Sequence, residues 1–124
     1  MKYIKKFKIF EINSGELYLK QHKLIFAVID GDLDKVKDIL NNSKNIINDT
    51  DYQSFTPLAI AAYKHNLELV KLLIDNDADW NIKTEFNNTF FEILTPHEQD
   101  IIKNEYPEKY NNYQKKQKSN NFNL

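Results

Sequence analysis

The chain has 124 residues, 41% of them apolar, and a formal charge of -1 from 17 cationic and 18 anionic side chains, enough for one domain with a modest core and too little for a second. The charges are interspersed and every cation is lysine, so neither a strong field nor a planar guanidinium fork is available, and nucleic acid is not expected as a partner. Cysteine is absent, which excludes disulfides, thiolate metal sites and a cysteine nucleophile.

Residues 1–10 are basic, but lysines interrupt their apolar positions, so they do not read as a secretory signal. No stretch reaches the length of a membrane span. The protein is accordingly expected to act in the cytoplasm, or in a host cell after delivery, and no membrane partner is expected. Missing arginine, many asparagines and only two glycines fit AT-rich coding. Residues 1–23 read as an N-terminal cap in which Leu17 and Leu19, with Leu24 and some of Ile9, Phe10 and Ile12, cover the core. Whether residues 6–12 are strand or helix stays open.

From Leu24 onward the chain repeats itself. An offset of 34 residues pairs Leu24 with Leu58, Ala27 with Ala61, Leu33 with Leu67, Val36 with Val70, Ile39 with Leu73 and Leu40 with Ile74. An offset of 33 pairs Asn48 with Asn81, Thr56 with Thr89, Leu58 with Phe91 and Ile60 with Ile93, which implies one inserted residue near 44–46. A period of this size is the mark of a stacked architecture.

Thr56 followed by Pro57 is a helix start: the hydroxyl accepts an amide of the first turn, and proline gives up an amide that has no helical partner. Leu58, Ala61 and Ala62 share one face of that helix. Leu67, Leu69, Val70, Leu72 and Leu73 supply the apolar stripe of a second, with Ala61 and Leu72 expected between helices. The link 63–66 is too short for anything but a reversal, so the two helices are antiparallel. His65 ends the first helix, where histidine tolerates a left-handed backbone. Thr95 and Glu98 form a capping box for a later helix that carries Ile101, Ile102 and Tyr106 inward and stops before Pro107. Beyond Tyr110 asparagine, lysine and glutamine dominate, and residues 111–124 are expected to be a disordered polar tail.

The central copy, residues 51–83, resembles the ankyrin repeat along its whole length. Thr56-Pro57-Leu58, the Ala61-Ala62 pair, the L-E-L-V-K-L-L of 67–73 and the A-D-W-N of 78–81 fall at that family's spacing. The upstream copy keeps the A-x-x-x-G-D-L-D-K-V-K of 27–37. The downstream copy keeps Thr89, Phe91 and Ile93 but has Phe90 in place of proline and a shortened link to its second helix. The resemblance implies an all-α solenoid of antiparallel helix pairs with short hairpin turns. About three repeats are expected, at 24–50, 51–83 and 84–110, the outer two acting as caps.

The resemblance also implies a role: a protein-interaction module without enzymatic activity or cofactor, monomeric on its own, that binds an unidentified partner protein on the concave face. On that face the family pattern places Tyr52, Gln53 and Phe55 at one hairpin tip, Tyr63 and Lys64 at the inner end of a helix, and Glu85, Phe86 and Asn88 at the next tip. Exposed aromatics of this kind are enriched at interface cores. Phe55 and Phe86 are expected either to face a partner or to fold back over a thin core, and Trp80 to be structural. A second reading is an immunity or antitoxin-like inhibitor that uses the same face to plug an enzyme.

Other chemistry fits poorly. Asp75, Asp77 and Asp79 alternate as in a calcium loop, but Trp80 and Phe86 occupy the positions that need glycine and a bidentate glutamate. His22, His65 and His97 lie far apart with no metal-ligand spacing. Ser14, Ser43, Ser54 and Ser119 have no adjacent base. The lysines at 115, 116 and 118 read as a solvated tail.

Overall fold

The computed structural model describes residues 22–51 and 53–122; the N-terminal expectations on Ile9, Phe10, Ile12, Leu17 and Leu19, and the one on Tyr52, lie outside them. Seven α-helices and one 3-10 turn make up these residues: α1 (Lys23–Asp30), α2 (Leu33–Asn42), the 3-10 turn (Lys44–Ile46), α3 (Pro57–Tyr63), α4 (Leu67–Asp75), α5 (Phe90–Ile93), α6 (Pro96–Glu105) and α7 (Pro107–Phe122). The 3-10 turn falls where the two repeat offsets differ by one residue, so the insertion is absorbed in a surface connection.

The first two repeats build their reversals with the same backbone device. Gly31 (φ 72°) and His65 (φ 54°) both adopt the left-handed conformation that ends a first helix, and the next amides, of Asp32 and Asn66, return to Ala27 and Ala61 at 3.1 Å. The residue after each is the cap of the second helix. The Asp32 carboxylate accepts from the Lys35 amide at 3.1 Å, and the Asn66 side chain from the Leu69 amide at 3.2 Å. Thr56 caps α3, accepting from the Ala59 amide at 3.1 Å with Pro57 in the first turn, as its sequence implies.

The first helices α1, α3 and α5 pack side by side, and α2 and α4 each back onto the first helix of their own repeat. Ala27, Ala61 and Ala62 are completely buried, so the inner helices approach as closely as methyl groups allow. The outer helix α4 contributes Leu69, Val70, Leu73 and Ile74, all fully buried. Leu72 departs from expectation. It is only partly buried and lines an open groove with Leu33, Lys37, Glu68, Lys71 and Asp75. Burying 69, 70, 73 and 74 sets the inward face of the helix, and the 100° step from Leu73 back to Leu72 turns that side chain toward its edge.

The third repeat is abbreviated. Helix α5 is a single turn of 4 residues held by a complete capping box of Thr89 and Glu92, and Leu94 runs directly into Thr95, which forms the expected box with Glu98 for α6. Ile102 is fully buried, while Ile101 and Tyr106 are partly so.

The polar tail expected from residue 111 is instead the greater part of α7, which extends to Phe122. One face of α7 carries Tyr110, Tyr113 and Gln117 at helical spacing. Tyr113 is 6% exposed; its ring lies 5.8 Å from that of Trp80 and 5.5 Å from that of Phe91, and its hydroxyl is 2.6 Å from Thr89 Oγ1. Trp80 also meets Phe90 edge-on at 5.0 Å and is itself buried at 5%. Further bonds tie α6 and α7 back to the second repeat: Tyr106 Oη donates to Asp75 at 2.8 Å, Lys109 Nζ to the Ile74 carbonyl at 3.2 Å, and Gln117 to Asn81 at 3.1 Å. The unpaired end of a repeat stack is an apolar surface that must be covered, and these aromatic contacts cover it. Composition alone hides this, because the few contact residues are diluted among asparagine and lysine.

Candidate functional site

Two hairpin tips and the end of one helix bring most of the expected contact residues together. In the first tip the Asp51 carboxylate accepts from the amides of Gln53 (2.9 Å) and Phe55 (3.0 Å), Ser54 takes a left-handed φ of 66°, and the Asp51 amide closes the loop on the Phe55 carbonyl at 3.0 Å. In the second tip Thr84 plays the part of Asp51. Its hydroxyl accepts from the Phe86 amide at 3.1 Å and also pairs with the Asn88 side chain, its amide bonds the Asn88 carbonyl at 2.9 Å, and Asn87 is left-handed at φ 63°. Each tip therefore fixes the backbone of its aromatic residue by local bonds.

Phe55 sits at the centre of the cluster. Its ring is 5.5 Å from Tyr63 in an edge-on arrangement and 6.0 Å from Phe86 in a tilted one, contacts of the favoured aromatic type. Asn88 Nδ2 donates weakly to the Tyr63 hydroxyl at 3.4 Å, linking the second tip to the end of α3. Phe55 is half-buried among these neighbours. Tyr63 is 43% exposed and Phe86 66%, so the folding-back alternative describes Phe55 in part and Phe86 not at all. Gln53, Lys64 and Glu85 are exposed, and neither Lys64 nor Glu85 forms an ion pair among the described residues.

One apolar position of this surface escaped the sequence reading. Ile29, 43% exposed, occupies on α1 the position one repeat before Tyr63. The signal was the 34-residue offset itself, applied to Tyr63 backwards.

The turn after α3 carries a second polar link. His65 Nδ1 donates to Glu98 Oε1 at 2.9 Å, and the same oxygen accepts the Thr95 amide at 2.9 Å, so one carboxylate caps α6 and fastens it to the preceding repeat. Burial pushes the Glu98 carboxyl up, but its hydrogen bonds from Thr95 and His65 outweigh that cost, and its pKa lies below the ordinary carboxylate value. Because the folded-state value is depressed, the contribution is complete above the ordinary carboxylate range and is lost as pH falls through the lower folded value. Urea midpoints measured from about pH 6 down to pH 3 should therefore decline on acidification. Glu98→Gln, which keeps the capping acceptor without the charge, should decline less steeply.

Burial also raises the pKa of Tyr113, with Glu92 and Tyr110 adding to the shift and the bond to Thr89 opposing it. Tyr106 is raised by burial and by its bond to Asp75. Both hydroxyls serve as neutral hydrogen-bonding groups. Among the described residues there is no group of three or more His, Cys, Asp or Glu placed to hold a metal ion, and no helix is long and apolar enough to cross a membrane.

The family described as ankyrin repeats (many copies) matches residues 39–94. The palmitoyltransferase AKR1 of Debaryomyces hansenii is 39% identical over 67 residues, 54% of this chain and 8% of that protein. A putative ankyrin repeat protein of Rickettsia bellii is 35% identical over 78 residues, 60% of this chain and 11% of that protein. The chain thus spans about a tenth of the length of these relatives. Among solved structures, a chain of a complex between a predatory endopeptidase of Bdellovibrio bacteriovorus and an immunity protein superposes with a TM-score of 0.57 at 28% identity, covering 69% of this chain and 45% of that one. Helix pairs, the left-handed reversals at Gly31 and His65, the threonine caps of α3 and α5 and the matched segment agree: residues 39–94 of the chain carry ankyrin repeats.

Proposed function

We propose that the protein is a non-enzymatic interaction module that binds a partner protein through the concave face, with Phe55, Tyr63 and Phe86 as anchors and Gln53, Lys64, Glu85 and Asn88 around them. Tyr52, next to Gln53 in the same tip, is assigned to the surface by the repeat pattern. Ankyrin repeats generally mediate protein–protein contacts, and the observation that carries the reading is the exposed aromatic cluster. Phe86 at 66% and Tyr63 at 43% exposure are held in place by tip and helix geometry that does not need their burial, and preorganised aromatics lose little entropy on binding.

Affinity capture from cells of the source, read by mass spectrometry, tests it. Phe55→Ala with Tyr63→Ala should weaken capture of the recovered partner by at least about tenfold while circular dichroism stays helical. Full-strength capture by a folded double variant would place the binding surface elsewhere.

A second reading, an immunity-type inhibitor of a partner enzyme, is favoured by the likeness to a chain from an endopeptidase–immunity protein complex. It requires that the captured partner be an enzyme whose activity falls at a one-to-one ratio with this chain. A captured partner with undiminished activity removes this second reading and leaves the first.

A further inference from the structure

We propose that the groove between the third-repeat tip and α7 binds an acidic segment of a protein partner. This rests on reading the chain as a protein-binding module, but not on the aromatic cluster. The groove, about 400 Å³, is lined by Lys83 and Asn87 from the tip side, Glu92 from α5, and Gln114, Gln117 and Lys118 from α7.

Its charge follows from an asymmetry of the whole chain. All 18 carboxylate residues precede Lys109, and the charged side chains from there on are Lys109, Lys115, Lys116 and Lys118. Lys109 is tied to Asp77 at 3.2 Å. Lys83, Lys115, Lys116 and Lys118 are exposed and form no ion pair among the described residues. The groove's own carboxylate, Glu92, is engaged through Oε1 by the Thr89 amide at 3.0 Å and hydroxyl at 3.3 Å. Two ammonium groups against one carboxylate, itself occupied with capping α5, leave the groove with a net positive charge, which suits a ligand made of acceptors.

A short run of Asp or Glu side chains fits this better than a long polyanion. The basic end of α7 is small, and the acidic body of the chain repels a polymer that runs past it. A lipid surface would need apolar groups beside the lysines, and α7 exposes Asn111, Asn112 and Ser119 there. Asn87, which lines the groove, follows Phe86 in the same tip.

The test uses the full chain and a fluorescein-labelled decaglutamate peptide read by anisotropy. Decalysine, a single-stranded oligonucleotide of matched charge and phosphatidylserine vesicles serve as competitors for the assignment. At about 50 mM salt the peptide should bind, and Lys83→Gln with Lys118→Gln should weaken it by roughly fivefold or more at unchanged circular dichroism. Lys83→Glu with Lys118→Glu should reverse the preference toward decalysine, and Phe55→Ala should leave peptide binding unchanged. The proposal is overturned if decaglutamate does not bind, if the glutamine pair binds it normally, if Phe55→Ala weakens it equally, or if oligonucleotide or vesicles bind more tightly. Loss of decaglutamate binding leaves partner capture by the aromatic cluster standing, so the two readings fail separately.

Discussion

Truncation after Tyr110 should lower the free energy of unfolding by about 3–5 kcal/mol, the scale on which removing a large buried aromatic is felt. The reason is Tyr113. It is 6% exposed, it touches Trp80 and Phe91, and its hydroxyl bonds Thr89, the cap of α5. Without it the stacking face of the third repeat opens to water and the Gln117 bond to Asn81 is lost as well. A disordered tail would cost nothing on removal. Urea denaturation of the truncated chain, followed by fluorescence of the single tryptophan, Trp80, reads the change at the affected contact. An unchanged midpoint would mean that α7 does not cap the stack in solution. Tyr113→Phe, which keeps the ring and removes the hydroxyl, should recover all but about 1 kcal/mol.

Leu73→Ala should cost about 2–5 kcal/mol by leaving a cavity among fully buried neighbours, a large share of the stability of so short a solenoid. Leu72→Ala, at the rim of an open groove, should cost less than about half as much, since the partly exposed site can be filled by water. The comparison checks the rotational setting of α4. Equal losses in the two variants would show that the helix turns its 72 position inward.

Much of the candidate surface was legible because ankyrin-type positions alternate between stacking and display at a fixed period. Phe55, Tyr63, Phe86 and Asn88 are brought together, since the tips and the inner helix ends recur every 33 or 34 residues and adjacent repeats lie side by side. Ile29 was equally accessible to that argument. The His65–Glu98 bond was not: its partners lie 33 residues apart, and each already had a local explanation, His65 as a left-handed terminator and Glu98 as a capping-box member.

The sequence by itself determined the period, the helix starts at Thr56 and Thr95, the reversal at His65, and hence the class of fold, because caps and left-handed turns are decided within a few residues of chain. Only the tertiary structure decided which side of α4 is buried, how far Phe55 tucks between Tyr63 and Phe86, and that the asparagine- and lysine-rich end is a helix. Those outcomes depend on surfaces contributed from elsewhere in the chain. Tyr110 and Tyr113 are too few to predict a packed helix from composition, and they become one when Trp80, Phe90 and Phe91 leave an apolar end of the stack for them to cover.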